Sequence, residues 1–365
     1  MIKLNFLKLN PLCIAGTPLP PNLLLMSKIT VLGLLLKGYA QSLPKIFLPF
    51  LPFFDWLDEY MISGWRFQQM LEVIFVISAV MILLNVRARL SCFMLAMVIF
   101  TATLANQYYY SNNKIYCACM LLWAGLHISG ARHFFLEWQI VLMYFGAGAN
   151  KILEPDWLSG VYFDHWMKNI AHQPAYEFWA SFLPPLMLGK LMGWMTIVTE
   201  FALSIGFLLR RLQPLSVWVG IVFHCGALIL SGKDFQIYSI AILASYLTFI
   251  PWPKEVKVSY DAKSFFGKYL KPIAAQLDAD RLFQWQEADG ELSVSTGEKV
   301  YYGFAAFKMV LWFLPAHYFL LTALMCVPNE AFRVELVVGA LLFYSPFIEM
   351  VQHVQSQRKA SRQWT

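Results

Sequence analysis

Charge is scarce in this chain. Of its 365 residues, 14% are charged and 59% are hydrophobic, whereas a soluble domain is about 25% charged and about 45–50% apolar. That shortage excludes a soluble globular fold for most of the chain and places it in a lipid bilayer. The formal charge of +6 is weak evidence for nucleic acid, and no nucleic-acid partner is expected. Basic residues gathered on one membrane face account for it better. The six cysteines (Cys13, Cys92, Cys117, Cys119, Cys225 and Cys326) form no CxxC and no Cys/His cluster with zinc spacing, so no metal is expected. Cys117 and Cys119, two apart on a predicted helix, point to different faces and read as small buried residues. Also missing are an internal repeat, a low-complexity tract, a glycine motif for dinucleotides or phosphate, and a clear cleavage site after the apolar run at 22–40. Without repeated halves or paired Gly/Pro-broken spans, a transporter is disfavoured.

Long apolar runs are present instead. They predict spans near 22–41, 67–86, 90–108, 113–131, 134–152, within 177–209, 214–231, 237–252, 301–326 and 333–351. The fold class read from them is all-α, a polytopic membrane helical bundle of about eight to ten transmembrane helices. Its parts are a transmembrane domain at 1–252, a soluble insert at 253–298, C-terminal helices at 299–352 and a tail at 353–365. Arg87 and Arg89, Arg132, Arg210 and Arg211, Lys254 and Lys257, and Arg358, Lys359 and Arg362 fall on one side if the N-terminus, with Lys3 and Lys8, is cytoplasmic. The localisation expected is a multi-pass protein of the bacterial cytoplasmic membrane with its tail and insert inside. The Trp-rich loop at 153–176 then lies outside. The insert reads as a basic amphipathic surface helix, KVSYDAKSFFGKYLKP, followed by a hairpin.

An ionisable residue inside a span is a functional candidate. Glu137, Lys190 and Glu349 lie near span ends, within reach of the headgroups, and Lys308 is about two turns into its span. Glu200 and His224 are central. A short turn from Arg210 to Pro214 joins their helices and puts the two at similar depth, as an expected Glu–His pair. Lys151 closes an apolar helix and is followed at once by Glu154, Asp156 and Trp157. Either it snorkels to the headgroups or it lines a polar cavity as a base, which requires its charge to be disfavoured there. Gly146, Ala147, Gly148 and Ala149 before it favour close helix packing.

The segment YFGAGANKILEPDWLSGVYFDHWM, with its lysine and its x-D-W-x-x-G, resembles the hallmark of the vitamin K-dependent γ-glutamyl carboxylase and its bacterial relatives, the HTTM (horizontally transferred transmembrane) family. TEFALSIGFLLRRLQPLSVWVGIVFHCGALILSG resembles that family's Glu-bearing and Phe-His helices, and WFLPAHYFL its last Leu-Pro helix start. The order is right over roughly residues 20–330. The resemblance implies that Lys151 is the base that deprotonates a reduced quinone of the vitamin K hydroquinone type. It implies a secreted peptide as a further substrate and the lipid bilayer as the setting. SNNKIY at 111–116 resembles the carboxylase's Asn-His-x-Tyr, with Asn113 matching and Lys114 standing where that family has histidine. The catalytic candidates are therefore Lys151, Asn113 and Lys114, with Trp157, Glu200, His224 and Asp156 as the quinone pocket. The carboxylase's large luminal domain has no counterpart here, so a minimal relative is expected, either a lysine-base enzyme or a non-catalytic partner in maturing or exporting a secreted peptide.

Overall fold

A computed structural model describes residues 19–314, apart from 63, 128–132, 232–235, 250–255, 279–281 and 298. The expected span at 333–351 with Glu349, the tail, Cys13 and Cys326 lie outside the described residues. So do Lys3, Lys8, Arg132, Lys254 and the basic positions from Arg358 onward. The chain divides into two compact units, one of 133–249 and one that joins 1–132 with 250–365. The transmembrane region expected at 1–252 thus contributes to both.

The first unit holds α1 (Pro21–Leu36), α2 (Phe53–Tyr60), α3 (Trp65–Leu83), α4 (Ala88–Ala105) and α5 (Asn112–Leu126). Helix α4 packs on α3 and α5, and α1 packs on α3 and α5. At Gly125 on α5, an added Cβ would come within 2.9 Å of the Arg89 carbonyl oxygen, so the missing side chain lets α5 lie against α4. Hydroxyls inside α1 are satisfied locally, with Ser27 donating to Leu23 O at 2.8 Å and Thr30 to Met26 O at 2.9 Å.

The insert departs from the all-α expectation. It contains β1 (Val256–Tyr260), α13 (Lys271–Leu277), β2 (Phe283–Glu287), β3 (Ser293–Ser295) and β4 (Val300–Tyr302), followed by α14 (Gly303–Phe313). The strands form one sheet in the order β2-β1-β3-β4, with β2 parallel to β1 and the other pairs antiparallel. The basic stretch read as one surface helix, 257–272, is therefore strand up to Tyr260 and helical from Phe266 onward. Val256, Val258 and Tyr260 alternate inward along β1, a period of two that a helix cannot use. Parallel pairing demands a long crossover, and α13 supplies it. Asp278 closes the crossover by accepting the N–H groups of Leu282 and Phe283 at 2.8 and 2.9 Å.

The second unit holds α6 (Phe134–Leu153), α7 (Pro155–Ser159), α8 (Val161–His165), α9 (Pro174–Ala180), α10 (Met187–Leu208), α11 (Gln213–Ser231) and α12 (Gln236–Ser245), with a 3-10 turn at Tyr246–Phe249. The span expected within 177–209 is broken around Pro184 and Pro185, so α9 is separate and α10 begins at Met187. Helix α10 is the hub, packing on α6, α7, α8 and α11, while α12 packs on α11 and α6. Among the described residues, α3, α4 and α10 are each long and apolar enough to cross a bilayer, and α1 and Ser239–Phe249 are shorter apolar helices. Their outward apolar side chains, such as Val198 and Ile205 on α10, are exposed and suit lipid rather than water.

Candidate functional site

Proline decides where α6 stops. Glu154 precedes Pro155 and is held extended at φ −103° and ψ 112°, as a residue before proline must be. The chain turns at once into α7, whose first residue is that proline. Gly160 ends α7 at φ +88°, and an added Cβ there would strike the backbone of Leu186 and Lys190. Gly189 and Gly193, one turn apart on α10, meet the carbonyl oxygens of Gly160 and Trp157. These bare positions bring the start of the 153–176 loop onto α10 and hold Trp157 beside the end of α6.

Lys151 does not snorkel toward the near end of its helix. Its side chain turns back, with Nζ 3.5 Å from Ala147 O, and donates to both carboxylate oxygens of Glu200 at 2.8 and 2.9 Å. The Trp157 ring lies over the amine, its centroid 4.8 Å from Nζ, close enough for a cation–π contact. The lysine side chain is 17% exposed and the glutamate 8%, so water screens the pair little. Antiparallel packing of α6 and α10 brings the two together, and Gly148 allows it by facing the Phe201 ring directly. Ser204 donates to Val141 O at 3.0 Å across the same pair of helices.

An aromatic cap covers this pair. Trp157 stacks on Tyr162 at 4.1 Å and meets Phe163 edge-on at 5.2 Å, and Tyr162 stacks on Trp166 at 6.1 Å. Asp164 anchors the cap by accepting from Tyr176 at 3.0 Å and from Lys168 at 2.9 Å. Tyr176 lies outside the spans. Burial, then the Asp164 carboxylate, raises its phenol above the usual tyrosine range.

Beneath the cap is a cavity of about 350 Å³, lined mainly by apolar side chains such as Met192, Met195 and Val222, with Lys151, Glu200 and Thr199 among its polar groups. Tyr144, His224 and Ser239 also line it. Tyr144 is hydrogen-bonded to His224 Nε2 at 2.6 Å and closely to the Tyr246 hydroxyl. Gly220 makes room for that hydroxyl.

Of the sequence-derived candidates, Lys151, Trp157, Glu200 and His224 meet at one cavity. The expected Glu–His pair does not form: Glu200 pairs with Lys151, and His224 bonds to Tyr144. Asp156 is exposed, and its carbonyl accepts from Ser159. Asn113 and Lys114 belong to the first unit. There Lys114 donates to Tyr109 O at 2.9 Å and lies over the rings of Tyr39 and Tyr109. Tyr144, Tyr246 and Ser239 were not read from the sequence. Tyr144 had a signal, being seven residues before Lys151 and so on the same face of α6. Tyr246, remote in sequence, had none. No group of three or more His, Cys, Asp or Glu able to hold a metal ion occurs among the described residues.

Residues 125–251 match the family model of the HTTM domain. No curated protein and no solved structure matches the chain. The HTTM segment contains every cavity residue named above, from Tyr144 to Ser239, and leaves Asn113, Lys114 and the insert outside it. With the three apolar helices, it marks a membrane protein and points to the vitamin K-dependent carboxylase-like type.

Proposed function

We propose that this is a membrane enzyme in which Lys151 takes a proton from a reduced quinone held in the cavity. The observation that carries the reading is the Lys151–Glu200 pair under Trp157, set in a cavity with mainly apolar walls. An ammonium is not a base. Both charges of a buried pair are penalised by desolvation, so moving one proton from Nζ to a Glu200 oxygen is accessible, and it leaves a neutral amine beside a neutral acid. The amine then breaks the O–H bond of a hydroquinone and forms an N–H bond. The product is a hydroquinone oxyanion facing an ammonium, the charge of which is eased by the Trp157 face. Apolar walls suit the ring and tail of a quinol, and the cap keeps water from the oxyanion. A secreted peptide is the second reactant in this reading.

The test uses the purified full chain in nanodiscs with 1,4-naphthohydroquinone, following quinone formation by absorbance under air. Wild type accelerates the reaction. Lys151→Ala lowers the rate by about a hundredfold or more, the usual scale for a lost general base. The Lys151→Met/Glu200→Gln double variant, which leaves no lone buried charge, controls for folding and is equally inactive. A wild-type rate in Lys151→Ala refutes the enzyme reading and favours a non-catalytic partner.

A further inference from the structure

The cavity has two polar ends, and the proposed chemistry uses one. At the other end, Tyr144 and His224 are joined by a 2.6 Å hydrogen bond. Ser239, 1% exposed, lines the same cavity, and its Oγ has no hydrogen-bond partner. A buried hydroxyl left unpaired costs about 1–3 kcal/mol, so Ser239 is open to a hydrogen bond from a bound molecule. Tyr144 and Lys151 lie on one face of α6, seven residues apart, or roughly 10 Å along the axis. Ala147, the small residue between them, also lines the cavity and leaves the wall open. A flat ring with an oxygen at each end, plus a hydrogen bond of roughly 2.8 Å at either end, fills about that length.

Resting on the lysine-base reading, we infer that Ser239 and the Tyr144–His224 pair form a second polar contact for the bound molecule. The cavity then selects a ring that carries oxygen functions at both ends over one that carries a single hydroxyl. One oxygen faces Lys151 and gives up its proton. The other is held by Ser239 and Tyr144, which position the ring.

Equilibrium dialysis with the full chain in nanodiscs tests this, comparing 1,4-naphthohydroquinone under argon with 1-naphthol, which has the same ring and one hydroxyl fewer. The wild type is expected to bind the diol about tenfold more tightly, the scale of one well-made hydrogen bond in a dry site. Ser239→Ala and Tyr144→Phe each remove one hydroxyl and little volume. Each should bring diol affinity down toward that of 1-naphthol and leave 1-naphthol binding unchanged. Equal binding of the two compounds by wild type, or an unchanged diol preference in both variants, overturns the inference even where binding depends on Lys151. Absence of saturable binding of either compound overturns the lysine-base reading itself and the inference with it.

Discussion

Neutralising Glu200 tests how the site is held together. Glu200→Gln keeps the shape of the side chain and removes its charge. With Nζ 2.8 Å from the nearer oxygen, the attraction is about 6 kcal/mol at an effective dielectric of about 20. Desolvation of the two charges offsets a large part of that, and breaking a buried pair by removing one partner costs about 3–5 kcal/mol. Lys151 retains some contact with the cavity opening and with Trp157, so the lower end applies, about 3 kcal/mol. Lys151→Met should cost a similar amount by stranding the carboxylate. The double variant should be far more stable than the sum, since a paired and an unpaired apolar site differ little. A double-mutant cycle on the solubilised protein, unfolded by denaturant or heat, reads the coupling directly. With about 3 kcal/mol for each single variant and little for the double, the coupling is about 6 kcal/mol, and a value of that order supports a buried, poorly screened pair. Additive effects within about 0.5 kcal/mol would refute it and place Lys151 in water or headgroups.

Two further outcomes test the cap. Gly193→Ala puts a Cβ against the Trp157 carbonyl oxygen, where backbone cannot yield. The overpacking cost of about 1–3 kcal/mol should outweigh the helix gain of about 0.5–1 kcal/mol from replacing glycine. The variant should therefore melt lower and bind naphthohydroquinone more weakly than wild type. A higher melting point with unchanged binding would show that α7 does not rest on α10. Tyr176→Phe removes the hydrogen bond to Asp164 and should cost about 1.5 kcal/mol, the low end for a charged acceptor, because Asp164 is partly exposed. The raised Tyr176 phenol favours the neutral form in the folded state. Its contribution is full below the ordinary tyrosine range and is lost as pH rises through the folded value. Melting curves taken across alkaline pH should converge for wild type and Tyr176→Phe, and parallel curves would contradict this linkage.

Membrane residence and the helical character of most of the chain were legible in composition, because apolar runs with so few charges have no other stable setting. The end of α6 beside Lys151 was legible too, since Pro155 and Gly160 act through local backbone geometry. Of the sheet in the insert, only the hairpin, β3 with β4, was legible. Short strands next to a crossover helix share a basic, mixed composition with a surface helix, and only the pairing of β1 with β2 separates the two. At the site, Lys151, Trp157, Glu200 and His224 stood out one by one as polar residues in or beside apolar helices. Their partners did not, because a partner is set by the rotation and tilt of packed helices. Equal depth suggested Glu200 with His224, yet the bare face at Gly148 and the close seat of Phe201 turn Glu200 toward Lys151. Tyr246 reaches Tyr144 across about a hundred residues of sequence because Gly220 leaves it space, a long-range fit with no local signature. By itself, then, the sequence determined which residues must be paired or neutral in an apolar medium. Only the tertiary structure decided which of them pair, because pairing depends on which helix faces meet.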